Sequence, residues 1–226
     1  MKLRHLLSAT AVLLLSGWAS APPSVTELAI AQLQYSGGGD WYANPSGVPN
    51  LAKAIRTRTG VAVTDQPVHV KLTDPNLWNY PYIYITGHGN IRFSDEEVQI
   101  LRRYLLSGGF LHADDNYGMD KSFRREMARV FPDKELVELP ASHPIYHSFY
   151  DFPGGLPKVH KHDGKSAQGF GILHDGRVLV YYTYETDLGN GWEDADRYDD
   201  PPEARENAFR MGVNLFLYAL SQAAAQ

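Results

Sequence analysis

Two hydrophobic periods take turns along this chain, and that exchange limits its fold more than any other feature. Leu28 to Tyr35, Val68 to Leu72, Tyr82 to Thr86 and Phe110 to Ala113 are short apolar or alternating runs of the strand type. Between them lie segments with a helical period. Leu51, Ala54 and Ile55 run to a stop at Gly60; Val98, Leu101 and Leu105 share one face; Phe123, Met127, Val130 and Phe131 precede Pro132. Ser94 and Glu97 have capping-box spacing, and Gly108-Gly109 ends the helix they start. Strands that alternate with helices pair in parallel, because a parallel pair needs a long crossover connection. The expected fold is α/β: a flavodoxin-like three-layer sandwich with a mostly parallel sheet.

The second half departs from that rhythm. Leu136 to Leu139 is a further strand-like run, and residues 140–169 lose periodicity while carrying His143, His147, His160 and His162. Asp175-Gly176 sits between Gly171–His174 and Arg177–Tyr184, a two-residue hairpin signal that adds an antiparallel element. Residues 185–199 read as a loop. Pro201, Pro202 and Glu203 then open a long terminal helix whose Ala208, Met211, Leu215 and Tyr218 face the core.

The amino terminus has its own logic. Lys2 and Arg4 precede an apolar run from Leu6 to Leu15, and small residues follow at Gly17, Ala19 and Ala21. This is the pattern of a secretory signal peptide over residues 1–21, with cleavage after Ala19 or Ala21. The apolar run is short beside the roughly 20 residues of a membrane span, so no stable span is expected after cleavage. The expected organisation is this signal followed by a single α/β domain over 22–226, exported to the periplasm or the exterior. Cleavage leaves nineteen basic against twenty-six acidic side chains, a net charge of -7, which disfavours nucleic acid as a partner. The chain has no cysteine, which excludes disulfides, thiolate metal sites and a cysteine nucleophile.

In open α/β sheets, ligands bind beyond the carboxyl ends of the strands. Four polar loops follow predicted strands here: Gly37-Gly38-Gly39-Asp40, Gly87-His88-Gly89-Asn90, Asp114-Asp115-Asn116-Tyr117, and Thr186 to Trp192. Asp114 and Asp115 are the sharpest catalytic candidates, since adjacent carboxylates can serve as general base, hold a substrate hydroxyl or bind a hard cation. The competing role is capping of the turn by one and solvation of the other. His88, between two glycines, is the third catalytic candidate, as acid or positioning donor. Gly38, Gly39, Asp40, Asn90 and Asn190 form the expected substrate cradle, although a tight turn is the better explanation of the three glycines. Trp41, Tyr42, Tyr117 and Trp192 offer flat faces of the kind that stack on sugar rings, or pack the core. His143 with His147 has the spacing of a metal pair, weakened by Pro144; His160 with His162 reads as an exposed loop. The cofactor for which this pattern leaves room is a divalent cation.

The same segments carry a family resemblance. Tyr35-Ser-Gly-Gly-Gly-Asp-Trp-Tyr-Ala-Asn44, Tyr84-Ile-Thr-Gly-His-Gly89, Gly108-Gly-Phe-Leu-His-Ala-Asp-Asp115, Ser122-Phe-Arg-Arg-Glu-Met127, His143-Pro-Ile145 and His147-Ser-Phe149 resemble the bacterial domain of unknown function 4159 family. The resemblance implies a fold similar to class I glutamine amidotransferases and ThuA-like proteins, and implies no reaction. The amidotransferase nucleophile is absent: the comparable turn after Phe110–Ala113 presents Asp114 and Asp115 instead of cysteine. No Gly-x-Ser-x-Gly elbow replaces it. Three functions follow as expectations. One is an exported hydrolase-like enzyme acting on a carbohydrate or other polar small molecule through an Asp/His site. The others are a non-catalytic module holding a glycan or protein at the cell envelope, and a structural envelope subunit.

Overall fold

The computed structural model describes residues 27–224, so the signal segment expected over 1–21 lies outside the described residues. Seven strands form one sheet: β1 Ile30–Leu33, β2 Val68–Val70, β3 Tyr82–Gly87, β4 Phe110–Asp115, β5 Val137–Glu138, β6 Gln168–His174 and β7 Arg177–Tyr184. Their order across the sheet is β2-β1-β3-β4-β7-β6-β5. The pairs from β2 to β7 are all parallel; β6 runs antiparallel to β7, and β5 antiparallel to β6. Five helices flank the sheet: α1 Gly47–Thr59, α2 Asp95–Leu106, α3 Asp120–Val130, α4 Leu188–Trp192 and α5 Pro202–Ala224. The result is a flavodoxin-like α/β sandwich with an antiparallel extension. Among the described residues, no helix is long and apolar enough to cross a membrane.

The layers follow from strand periodicity, since alternate side chains point to opposite faces. Ile30, Tyr82, Tyr84, Phe110 and Tyr181 pack beneath α1, α4 and α5 with Leu51, Ile55, Trp192, Met211 and Phe216. Ala31, Leu33, Ile83, Ile85, Leu111 and Tyr182 pack beneath α2 and α3 with Leu101, Leu105, Phe123 and Met127. Local signals set several boundaries. Gly60 closes α1 at φ 75°, both capping-box bonds of Ser94 and Glu97 form, and Asp175-Gly176 turns the hairpin with both residues at positive φ.

Two boundaries differ from expectation. Strand β4 runs two residues past Ala113, so Asp114 and Asp115 are strand residues and face opposite sides of the sheet. Their carboxylates therefore do not share a site. The segment 185–199, read as a loop, contains the short helix α4, and it carries Trp192 into the core, where the indole is fully buried and donates to Ala208 O at 2.8 Å. Trp192 is a packing residue, not a ligand platform.

Strand order reverses between β1 and β3, the position where a crevice is expected. Here the two loops close over it. Gly39 N donates to Asn90 O at 3.1 Å, Arg92 N to Ser36 O at 2.7 Å, and Asn90 Nδ2 to Gly37 O at 3.1 Å. The turn at Gly87 needs glycine: φ is 130°, and a Cβ there would lie 2.8 Å from Asp40 O. The open cavity is displaced toward β4 and β7.

Candidate functional site

Nine residues line a cavity of about 320 Å³ beyond the carboxyl ends of β3, β4 and β7: His88, Asn116, Tyr117, His160, Lys161, His162, Asp187, Asn190 and Tyr198. His88 follows β3 directly, and Asn116 and Tyr117 follow β4. Asp187 and Asn190 lie on the turn from β7 into α4, and His160 to His162 cross above as a strap. Each of the three histidines is bonded to a carboxylate. His88 Nδ1 lies 2.9 Å from Asp40 Oδ2, His160 Nδ1 2.9 Å from Asp200 Oδ1, and His162 Nε2 3.4 Å from Asp187 Oδ2. Such a bond fixes ring orientation and leaves the second ring nitrogen for a ligand.

The pairs differ in setting. The His88 side chain is half exposed, and its backbone amide also donates to Asp40. Desolvation pushes the Asp40 carboxyl up, but the amide and imidazole of His88 outweigh it and hold the group below its usual value. Asp187 is almost wholly buried, and burial raises its carboxyl to about 7, against which the Asn190 amide at 3.1 Å acts only in part. Burial likewise lowers His162. Asp187 holds an unusual backbone for a residue with a side chain, φ 56° and ψ 67°, at a sharp strand-to-helix turn. Glu185, two residues earlier, is also left-handed at φ 60°.

Asp114 explains how that turn is held. Its Oδ1 accepts from Thr183 Oγ1 at 2.5 Å and Leu188 N at 3.1 Å; its Oδ2 accepts from Gly189 N at 2.7 Å and Tyr84 Oη at 3.2 Å. A side chain at Gly189 has no room, because a Cβ would sit 2.7 Å from the Tyr84 hydroxyl and 3.1 Å from Asp114 Oδ2. Behind Thr183 lies His112, whose Nε2 is 3.1 Å from Thr183 Oγ1 and whose Nδ1 is 2.9 Å from the Tyr82 hydroxyl. Burial pushes His112 down to about 3, so it is a neutral ring. Burial, with the Asp187 charge adding to it, raises Asp114 to about 7. Asp114 is therefore a fully bonded positioning residue beneath the cavity, not a group that meets a ligand.

The remaining expectations divide. Asp115 accepts from the backbone amides of Tyr117 and Met119, both at 3.2 Å, which makes it the cap of the turn. Gly38 and Gly39 belong to the closed turn over β1 and β3 and do not line the cavity. Trp41 packs on the α2/α3 side with its ring edge-on to His69. Asn90 opens instead onto a separate cleft of about 750 Å³, where the buried Glu126 is matched by Arg125 and Arg129. His143 accepts from Ile145 N, and His147 bonds Asp151 and Ala141 O. Among the described residues, no group of three or more His, Asp or Glu is arranged to hold a metal ion. His88, Tyr117 and Asn190 do meet in the cavity, with Asp40 behind His88.

His160 and His162, expected in an exposed loop, are in its wall instead, and Asp187, Asn116, Lys161 and Tyr198 join them without any sequence motif of their own. The smaller cavity is the better candidate for one further reason. Asn116 Nδ2 and Asn190 Oδ1, both buried, have no hydrogen-bond partner in the protein. Unpaired buried polar groups are costly, and each calls for a partner from outside the chain, a bound molecule or water.

Residues 29–220 match the family described as Domain of unknown function (DUF4159). The chain belongs to the DUF4159 family. The match spans β1 to most of α5, so every residue of the cavity lies inside this DUF4159 domain. No curated protein matches the chain.

Proposed function

We propose that the DUF4159 cavity binds a small polar molecule and carries out hydrolase-like acid–base chemistry on it. One observation carries this reading: three imidazoles, each hydrogen-bonded to its own carboxylate, open on a single cavity. Asp187, raised to about 7 by burial, is matched to proton transfer near neutral pH. In the proposed step Asp187 takes a proton from a water whose oxygen bonds to the reacting carbon as the bond from that carbon to the leaving group breaks. His88, free at Nε2 and oriented by Asp40, returns one to the leaving group. Perturbed carboxylates in a cleft are a functional signature, and structural ion pairs share it.

A binding module is the second reading. What favours it is that no serine, threonine or cysteine is among the lining residues. We also read the protein as exported, on the strength of the residue 1–21 pattern, and as related at the level of fold to ThuA-like and class I glutamine amidotransferase-like proteins, on the strength of the parallel core order β2-β1-β3-β4-β7.

The test is a turnover screen on polar small molecules with wild type, Asp187→Asn and His88→Ala. Catalysis through this cavity predicts at least a hundredfold loss of turnover in each variant with the fold intact, as general acid–base groups contribute about 10²–10⁴-fold. Unchanged turnover in both variants refutes it, and ligand binding without any turnover favours the binding module.

A further inference from the structure

The wall of the cavity narrows the class of ligand it can hold. Four rings run in contact along that wall. Tyr117 and His162 have centroids 5.4 Å apart, His162 and His160 5.9 Å, and His160 and Tyr198 6.3 Å. All nine lining residues carry a side-chain nitrogen or oxygen and none is aliphatic. The volume of about 320 Å³ is on the scale of a single ring-sized ligand rather than an extended chain.

Charge decides the next step. Four carboxylates bond directly to side chains of the wall: Asp40, Asp163, Asp187 and Asp200. Lys161 is the one ammonium lining the cavity among the described residues, and Lys165 pairs with Asp163 behind it. Even without Asp187, the carboxylates of Asp40, Asp163 and Asp200 outnumber the ammonium groups of Lys161 and Lys165, an acidic excess that disfavours a bound anion. The unpaired Asn116 Nδ2 needs an acceptor and the unpaired Asn190 Oδ1 needs a donor. A hydroxyl supplies both from one oxygen.

We propose that this cavity takes an uncharged polyhydroxylated ring, a sugar or cyclic polyol, and selects against the corresponding sugar acid. The rings of Tyr117, His162, His160 and Tyr198, inclined at 57–68° to their neighbours, wall the site, and Asn116 and Asn190 read the hydroxyls. The assignment rests on the cavity of the preceding section being the working site, but not on its being catalytic.

The experiment is calorimetric titration of the full chain with glucose, galactose, mannose and myo-inositol. Glucuronate and galacturonate serve as the matched anions, and cyclohexanol as a ring with one hydroxyl. At least one neutral ligand is expected to bind at least tenfold more tightly than its acid and than cyclohexanol. Asn116→Ala and Tyr117→Asn are each expected to weaken it at least fivefold. Tyr117 is half exposed and left-handed at φ 86°, a conformation asparagine accepts, so this second variant tests the wall even if the first fails to fold. Equal or tighter binding of the acids, or binding of no neutral ligand, overturns the assignment. Sugar binding without turnover refutes the catalytic reading alone; turnover of an anionic compound refutes the ligand class alone.

Discussion

Asp114→Asn and Asp115→Asn make the same small change at adjacent positions of one strand, and the structure predicts very different costs. Asp114 receives four hydrogen bonds, two on each oxygen, with one backbone amide and one hydroxyl on each side. An asparagine has one acceptor oxygen. Whichever way its amide is turned, the NH₂ faces either Leu188 N or Gly189 N. A hydroxyl can rotate to accept instead of donate; a backbone N–H cannot. At least one buried amide is left unpaired against another donor, and two unmet donors at about 1–3 kcal/mol each give a loss of about 2–6 kcal/mol. Asp115 uses only Oδ1, as a turn cap for Tyr117 N and Met119 N. Asparagine keeps that oxygen and caps nearly as well as aspartate, so the loss is less than about 1 kcal/mol. Urea unfolding of both variants at pH 7 measures the difference. Because α4 begins at Leu188, Asp114→Asn also loosens Asp187 and Asn190, and ligand binding weakens with stability. Equal unfolding midpoints for the two variants, or a milder effect for Asp114→Asn, would refute the division of labour drawn between the two carboxylates.

Two further outcomes follow from the same geometry. The Asp187 carboxyl is raised to about 7 in the fold against an ordinary value of 3.8, so the folded state holds that proton more tightly than the unfolded chain. Its contribution to stability is fully present below about pH 4 and is lost as pH rises through about 7, by on the order of a few kcal/mol. Burial holds His112 and His162 below the usual imidazole value, and these carry the opposite sign below about pH 6.5. The measurement is therefore the unfolding free energy of wild type minus that of Asp187→Asn, which should fall from pH 5 to pH 8; a difference that rises contradicts the assignment. Gly189→Ala places a methyl 2.7 Å from the Tyr84 hydroxyl and the Asn44 amide nitrogen, and is expected to cost about 1–3 kcal/mol with loss of ligand binding; a wild-type melting temperature shows that the turn tolerates a side chain.

How much of this could be read from the sequence depends on how local the cause is. The Gly60 stop, the Ser94–Glu97 box and the Asp175-Gly176 hairpin each arise within a few residues, and each stands where the pattern puts it. The sheet was legible for a related reason: alternating strands and helices leave few topologies. The site was not. Two more residues of strand than the apolar run suggests are enough to send Asp114 and Asp115 to opposite faces. Asp187 acquires its environment from Asn190, from His162 twenty-five residues away, and from a turn held by Asp114 seventy-five residues before Gly189. Trp192 reads as a stacking face or a core residue in sequence because α4 is only five residues long, too short for periodicity to show which side it buries. One signal was present: the polar loops after β3, β4 and β7 do converge, whereas the loop after β1 is closed against Asn90 and Arg92.

The central claim is that three carboxylate-held imidazoles share one binding cavity. Imidazole ¹⁵N–¹H spectra, recorded while the best-binding neutral sugar is titrated into the protein, test it most directly. The account predicts that His88, His160 and His162 shift together along one saturating curve, while His69, His143, His147 and His174 stay in place. Shifts confined to the second group, or three cavity histidines that respond independently or not at all, would contradict it.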